Sequence, residues 1–434
     1  MGVAPSRIPA GLRRELRDTE GLVPPPFLRK LSLWLALASS VTILFSIAAS
    51  QISLALALGI LLLSGLPLRW PRVAIPLGLF LAWVLVAMAF SPDPRQGMAQ
   101  VRKMLVFAML LIVYSAVRRV SEAKWLVFAW IAAGTFTAGR GLFQYAADVA
   151  GAKAAHTDFY LYYIADRISG FMSHWMTFSG EELYVLLLAL AFLLFARDLK
   201  MWSWLALPCA VVVGLALVLS DTRSIWAAAV AAVFYLLWVR DKRAALAMPV
   251  LLVVALLFAP AAVQRRVQSI TNPTKVTDSN QHRRIVWRTG WEMIKAHPLL
   301  GVGPEMIRKP EVFFAYLPKD IERPLPDGFY EHLHNIYIHY AAECGIPATL
   351  ALLAAFFTAL WDFRRAVILL PPGRSDRRFL LHGAIACIIG TMVSGVFEKN
   401  LGDTEVLTMF LVILCLGYLA KNLTDLSTEI YPPT

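Results

Sequence analysis

Three histidines stand close together in the run YEHLHNIYIHYAAECGIPA, where His332, His334 and His339 fall within eight residues. Imidazole changes charge near neutral pH, which suits it to take a proton from a hydroxyl. On helical geometry His339 lies about 140° round from His334, so the two face different ways. A helical zinc site wants two histidines four residues apart with a third ligand, and no pair here has that spacing. The pattern points to a general base, His334 or His339, with interface histidines of no chemical role as the plain alternative. Glu343, four residues after His339, is placed to pair with it on one helix face.

Eight arginines form the second set: Arg140, Arg167, Arg223, Arg265, Arg266, Arg283, Arg284 and Arg288. A guanidinium fork meets phosphate oxygens two at a time, so the set suits a phosphate or diphosphate ligand. The alternative for each is an arginine reaching lipid headgroups or pairing with a nearby acid, Asp221 for Arg223 and Asp166 for Arg167. No Walker-type GxxxxGK[ST], no GxSxG and no D-x-D occurs. ATP as a driver and a metal-gripped nucleotide-sugar both lack their signatures. Any phosphate chemistry here would rest on arginine, with no metal and no cofactor expected.

The elements that must position these residues are apolar. Of 434 residues, 58% are hydrophobic and only 16% charged, and the mean hydropathy is +0.62. Soluble domains are about a quarter charged, so this balance excludes an ordinary soluble enzyme, and with it a disordered or fibrous chain. The four cysteines, Cys209, Cys344, Cys387 and Cys415, lie in or beside apolar segments without CxxC spacing and read as packing residues. The net charge is +12, from 41 Lys+Arg against 29 Asp+Glu.

A bilayer core takes about 20 apolar residues per helix. Candidate spans are 31–49, 52–66, 73–90, 104–117, 124–145, 179–196, 201–219, 225–239, 244–262, 335–361, 379–397 and 404–420, twelve in all. The fold class expected is therefore an all-α polytopic membrane protein. Its divisions are a tail at 1–30, spans one to nine at 31–262, a loop at 263–334, spans ten to twelve at 335–420 and a tail at 421–434.

Basic residues set the orientation. One side collects Arg7, Arg13, Arg14, Arg17, Arg29 and Lys30, then Arg69 and Arg72, Arg118, Arg119 and Lys124, Arg197 and Lys200, Arg240, Lys242 and Arg243, and five arginines from Arg364 to Arg378. The other side holds SQ at 50–51, SDTRS at 220–224 and KNLGD at 399–403, with 91–103 (Arg95, Arg102, Lys103) as its basic exception. Both termini are thus expected on the cytoplasmic side of the membrane.

Two outer segments exceed short loops: the aromatic-rich stretch 146–178, and residues 263–334, with eleven Lys/Arg against eight Asp/Glu. A loop that long is usually functional. RRIVWRTGWEMIKAHP within it has apolar residues at helical spacing, Pro298 and GVGP close that helix, and PEVFFAYLPKDIERPLPDGFYEH reads as irregular.

The motifs converge on one resemblance. His334, Asn335 and Gly345 form HN-x9-G, which resembles the O-antigen ligase signature; that family expects Gly, Thr or Tyr where this chain has Ala348. SDTRSIW around Arg223 is similar to the family's TRxxW segment, and RRIVWRTGWEMIKAHPLLGVGP, with Arg283 and Trp287, to its R-x3-W…GvG block. DRISGFMSH, with Arg167 and Gly170, resembles an earlier RxxG block. O-antigen ligases, O-antigen polymerases and protein O-oligosaccharyltransferases share this family.

The resemblance implies a GT-C-like inverting, metal-independent glycosyltransferase working from an undecaprenyl-diphosphate carrier at the periplasmic face. It implies that His334, or second His339, deprotonates the acceptor hydroxyl while the arginines hold the diphosphate leaving group. The surplus of outer arginines fits a second anionic lipid, lipid A–core, as acceptor. That favours a ligase over a polymerase, with a protein-glycosylating ligase as an open alternative. The expected partners are undecaprenyl-diphosphate-linked O-antigen, lipid A–core and the membrane, with no nucleic acid. A transporter or flippase of anionic lipids is the reading from another class, against which the halves show no repeat.

Overall fold

In a computed structural model the chain is described over residues 26–197, 203–271, 279–321, 323, 325 and 331–423. Most of the two expected tails, with Arg7, Arg13, Arg14 and Arg17, lies outside the described residues, as do Lys200 and part of the long loop. Among the described residues every regular element is helical. Helices satisfy their own backbone groups, which hydrocarbon surroundings demand.

The order begins with a hairpin of α1 (Pro26–Thr42) and α2 (Ile47–Leu63), joined by reciprocal hydrogen bonds between the Ser39 and Ser50 hydroxyls and carbonyls at 2.8 Å. Next come α3 (Ala74–Ala89), α4 (Pro94–Met104) running through a 3-10 turn into α5 (Ala108–Ala116), and the long α6 (Val120–Ala154). Then follow α7 (Phe159–Ala165), α8 (Trp175–Phe195), α9 (Ser203–Leu219), α10 (Arg223–Arg240), α11 (Lys242–Leu257) and α12 (Ala261–Thr271). The outer body contributes α13 (Ser279–Ala296) and α14 (Pro310–Ala315), and α15 (Ile336–Cys344), α16 (Ile346–Leu369), α17 (Asp376–Ser394) and α18 (Thr404–Asn422) complete the chain.

Among the described residues seven helical stretches are long and apolar enough to cross a membrane: α4–α5, α6, α8, α10, α16, α17 and α18. The α11–α12 pair, bent by 118°, is an eighth if it forms one span, and α2, α3 and α9 are shorter apolar helices. The chain is a multi-pass, all-helical membrane protein. The span expected at 335–361 is not one helix: it breaks at Gly345, leaving the histidines on the short α15 and the apolar length on α16. The stretch expected to be irregular begins with a helix, α14, whose first residue Pro310 suits the position where no N–H is needed.

Helices α8, α17 and α18 form the enclosed centre. Phe192 meets Phe379 edge-on at 5.5 Å, and the Tyr184 hydroxyl meets that of Thr391 at 2.7 Å. The long loop has its own apolar core, in which Val286, Met293, Ile307, Phe313 and Leu333 are buried.

Charged side chains tie loops together at both ends of the bundle. At one end Arg69 donates to the Val117 carbonyl, Lys124 pairs with Asp376 at 2.9 Å, and Arg377 donates to the Ala420 carbonyl. At the other, Lys309 pairs with Asp93 at 2.8 Å, so the basic exception at 91–103 packs against the long loop.

Candidate active site

Asn335 starts α15: its side-chain oxygen accepts from the Tyr337 and Ile338 amides, both at 2.9 Å. This is an N-cap, the reason an Asn follows the histidine. The same side chain donates to the Val396 carbonyl at 2.8 Å, and the Ile336 amide donates to the Gly395 carbonyl at 2.8 Å. Those bonds draw the segment after α17 against the start of α15. They bring Glu398, nearly fully buried, onto His334, with Oε2 2.9 Å from Nδ1. Arg283, from α13, contacts the other carboxylate oxygen and donates from Nε to the Phe397 carbonyl at 3.2 Å.

The result is a line Arg283–Glu398–His334. Burial pulls the Glu398 carboxyl upward, but the His334 hydrogen bond and the Arg283 charge outweigh it, and it settles below the usual carboxylate range. An ionised carboxylate on Nδ1 fixes the tautomer and leaves Nε2 as the basic nitrogen. His334 holds a left-handed backbone, φ +47°. Such strain in a non-glycine residue costs on the order of 1–3 kcal/mol and gathers at functional sites. His332 and His282 flank it, with ring centroids 4.3 and 5.7 Å away. Burial pushes His282 down to about 3 and His332 down to about 2, so both are neutral at pH 7.

His339 is placed differently. It is 0% exposed and faces Glu343 at 3.1 Å, the partner its spacing suggests. The far end of α15 explains the remaining motif glycines. Gly345 has φ +86°, and its Cβ would run into the Leu299 carbonyl. The GVG segment docks there, with the Val302 and Gly303 amides donating to the Ala342 and Glu343 carbonyls at 2.8 and 2.9 Å. Backbone lies on backbone at Gly301 and Gly345, so neither position has room for a side chain.

Beside Glu398 opens a polar cavity of about 260 Å³, whose walls include Lys103, His174, Glu305, Arg308, His332 and Lys399. His334 lies just behind its wall, 8% exposed. Glu305, from the GVGPE turn, is buried with φ +60°; Lys103 stands 3.9 Å from it and Arg308 3.4 Å.

The eight arginines divide. Arg167 and Arg266 both donate to the Asp221 backbone carbonyl, at 3.2 and 3.1 Å, and Arg223 donates to Ser269, whose hydroxyl bonds the Arg266 carbonyl. These three form one group at the turn before α10. Arg167 also lies over the Trp175 ring at 4.6 Å, next to His174 of the cavity wall. Arg140 donates to the Gly170 carbonyl at 2.7 Å and covers Phe171. Arg283 joins His334. Arg265 and Arg288 pair at the surface with Asp158 and Asp320, and Arg284 is exposed.

Sequence reasoning missed Glu398, Lys399, Lys103 and Glu305. The signal for the first two lies in the sequence, where Glu398, Lys399 and Asp403 crowd into six residues between two apolar runs.

Residues 208–353, from α9 through the outer body into α16, match the family described as O-antigen ligase. No curated protein matches the chain.

Proposed function

We propose, from the match of residues 208–353 to the family described as O-antigen ligase, that the chain is a member of the O-antigen ligase/polymerase superfamily and acts as an O-antigen ligase. It transfers glycan from undecaprenyl diphosphate to a hydroxyl of lipid A–core at the periplasmic face of the inner membrane, with inversion and without a metal. The observation that carries this reading is the line Arg283–Glu398–His334 beside a cavity lined by cations.

His334 Nε2 takes the proton of the acceptor hydroxyl as its oxygen attacks the anomeric carbon from the face opposite the diphosphate. The bond to the diphosphate oxygen breaks, and the electron pair leaves with the diphosphate. Glu398 holds the imidazolium that forms, and Arg283 holds Glu398 ionised; both are positioning residues. Fixed cations stabilise the growing charge on the leaving group without reorganising in the transition state. Candidates are Lys103, Arg308 and Lys399 at the cavity, with Arg167, Arg223 and Arg266 on its Trp175 side. His339, enclosed and paired, is the weaker choice for the base.

The test supplies purified protein, with EDTA present, with undecaprenyl-diphosphate-linked O-antigen and lipid A–core. Transfer to lipid A–core is the expected result. Lengthening of carrier-linked glycan with nothing reaching lipid A–core would make the protein a polymerase instead, and loss of activity in EDTA would overturn the metal-free mechanism.

A further inference from the structure

The end of the bundle opposite His334 carries a pocket that the transfer chemistry does not use. It measures about 460 Å³ and is lined by Arg72, Phe357, Thr358, Leu360, Trp361 and Arg364. Arg72 stands just before α3, and the other five lie within about two turns of α16.

Hydrocarbon and cation meet along one face of α16. Phe357, Trp361, Arg364 and Ile368 recur at helical spacing and all are exposed, the two aromatic side chains at 57%. The Arg365 guanidinium lies over the Trp361 ring, 5.9 Å from its centroid. An exposed tryptophan with hydrocarbon on one side and arginines on the other belongs at the depth of lipid headgroups.

The cations here outnumber the acids. Asp362, the carboxylate beside the pocket, serves Lys421 and the Tyr418 hydroxyl as well as Arg72. Among the described residues the Arg72 fork is bonded through Nη1 alone, to Asp362 at 3.1 Å, and no carboxylate pairs with Arg364 or Arg365. The tie to Asp362 holds Arg72 in place and leaves its remaining N–H groups for a ligand. A guanidinium fork takes two phosphate oxygens at once.

We propose that this pocket binds an anionic phospholipid, with its phosphate between Arg72 and Arg364. Its acyl chains lie along Phe357 and along the exposed Ile75 and Leu79, which follow Arg72 at helical spacing. Basic pockets between membrane helices suit such headgroups. A zwitterionic lipid would bring its own ammonium among three arginines, so the pocket selects by net charge as well as by phosphate. The site stands apart from the ligase reading, which rests on the other end of the bundle.

The test measures, by native mass spectrometry of the full-length protein in detergent, binding of phosphatidylglycerol and of phosphatidylcholine with the same acyl chains. Phosphatidylglycerol is expected to bind at least about tenfold more tightly. Glycerol 3-phosphate, which lacks the chains, is expected not to compete with it. Arg364→Gln is expected to abolish the preference and leave the melting temperature in lipid-free detergent unchanged, since no ion pair is lost. Arg240→Gln, at the same end but outside the pocket, is expected to keep it. Arg72→Gln should also abolish the preference, but it releases Asp362, so Arg364 is the deciding position.

Equal binding of the two lipids, or a full preference in folded Arg364→Gln protein, overturns the site. Equal loss in Arg240→Gln would reduce it to diffuse surface charge, and competition by glycerol 3-phosphate would make it a site for soluble phosphates. A preference that appears only once residues 424–434 are removed would give the pocket to that segment, with its Asp425 and Glu429, and overturn the lipid.

Discussion

The two ends of the bundle treat buried charge in opposite ways. At one end Asp362, 3% exposed on α16, is held by Arg72 and Lys421, each at 3.1 Å, and by the Tyr418 hydroxyl at 2.8 Å. At the other end three buried non-glycine residues, Asp221, Glu305 and His334, carry a left-handed backbone, as does the exposed His156 just past α6. Both carboxylate oxygens of Asp221 are buried without a hydrogen bond among the described residues. The first end ties helices together with completed ion pairs. The second, beside its own ion pairs, holds a left-handed backbone at buried polar residues, a cost that a purely structural end would shed.

Substitutions at the two ends should therefore separate activity from stability. The largest effect is expected at His334: replacement by Ala lowers transfer about 10²–10⁴-fold, the range for a positioned general base, with melting temperature little changed. Its counterpart is Asp362→Ala, which leaves Arg72, Lys421 and the Tyr418 hydroxyl without their carboxylate and lowers stability by about 1 kcal/mol. Transfer per folded molecule should stay at the wild-type level, as an activity assay normalised to folded protein would check. An equal loss of activity there would erase the distinction between the ends.

Glu398→Gln comes next, with transfer reduced about 10–100-fold, the usual cost of losing an orienting carboxylate behind a functional histidine. The effect should fall on kcat more than on KM, because Glu398 acts through His334.

The smallest effect concerns Asp221. Burial raises its carboxyl from 3.8 to about 6, against the pull of Arg266 and Arg167. Between those values the folded state keeps a proton that the unfolded state has released. Stability from this group is therefore greatest at low pH and declines as pH rises through that window. Asp221→Asn should remove that slope from a plot of melting temperature against pH, and an unchanged slope would show that the strain at this end lies elsewhere.

The helical scaffold was legible because apolar runs of this length leave few alternatives, and the basic loops foretold which connections share an end. The HN-x9-G spacing held physical content: an N-cap at Asn335, and at Gly345 the contact on which the GVG turn rests. Two things were hidden. The break at Gly345 lies inside an apolar run, where hydropathy does not register a change of direction. Glu398 reaches His334 across 64 residues of sequence, through bonds from Gly395 and Val396 to the start of α15, and no local pattern encodes such an approach. The arginines were legible as a set but not as individuals. Arg288 and Arg265 are spent on surface acids, while lysines hold the cavity.

The most direct test compares His334→Ala with His339→Ala in the same purified transfer assay, each variant checked for folding. The account predicts that transfer vanishes with His334→Ala and persists per folded molecule with His339→Ala, which strands Glu343 and should cost stability instead. Normal transfer by folded His334→Ala protein would contradict the account, and loss confined to His339→Ala would move the base to the buried pair.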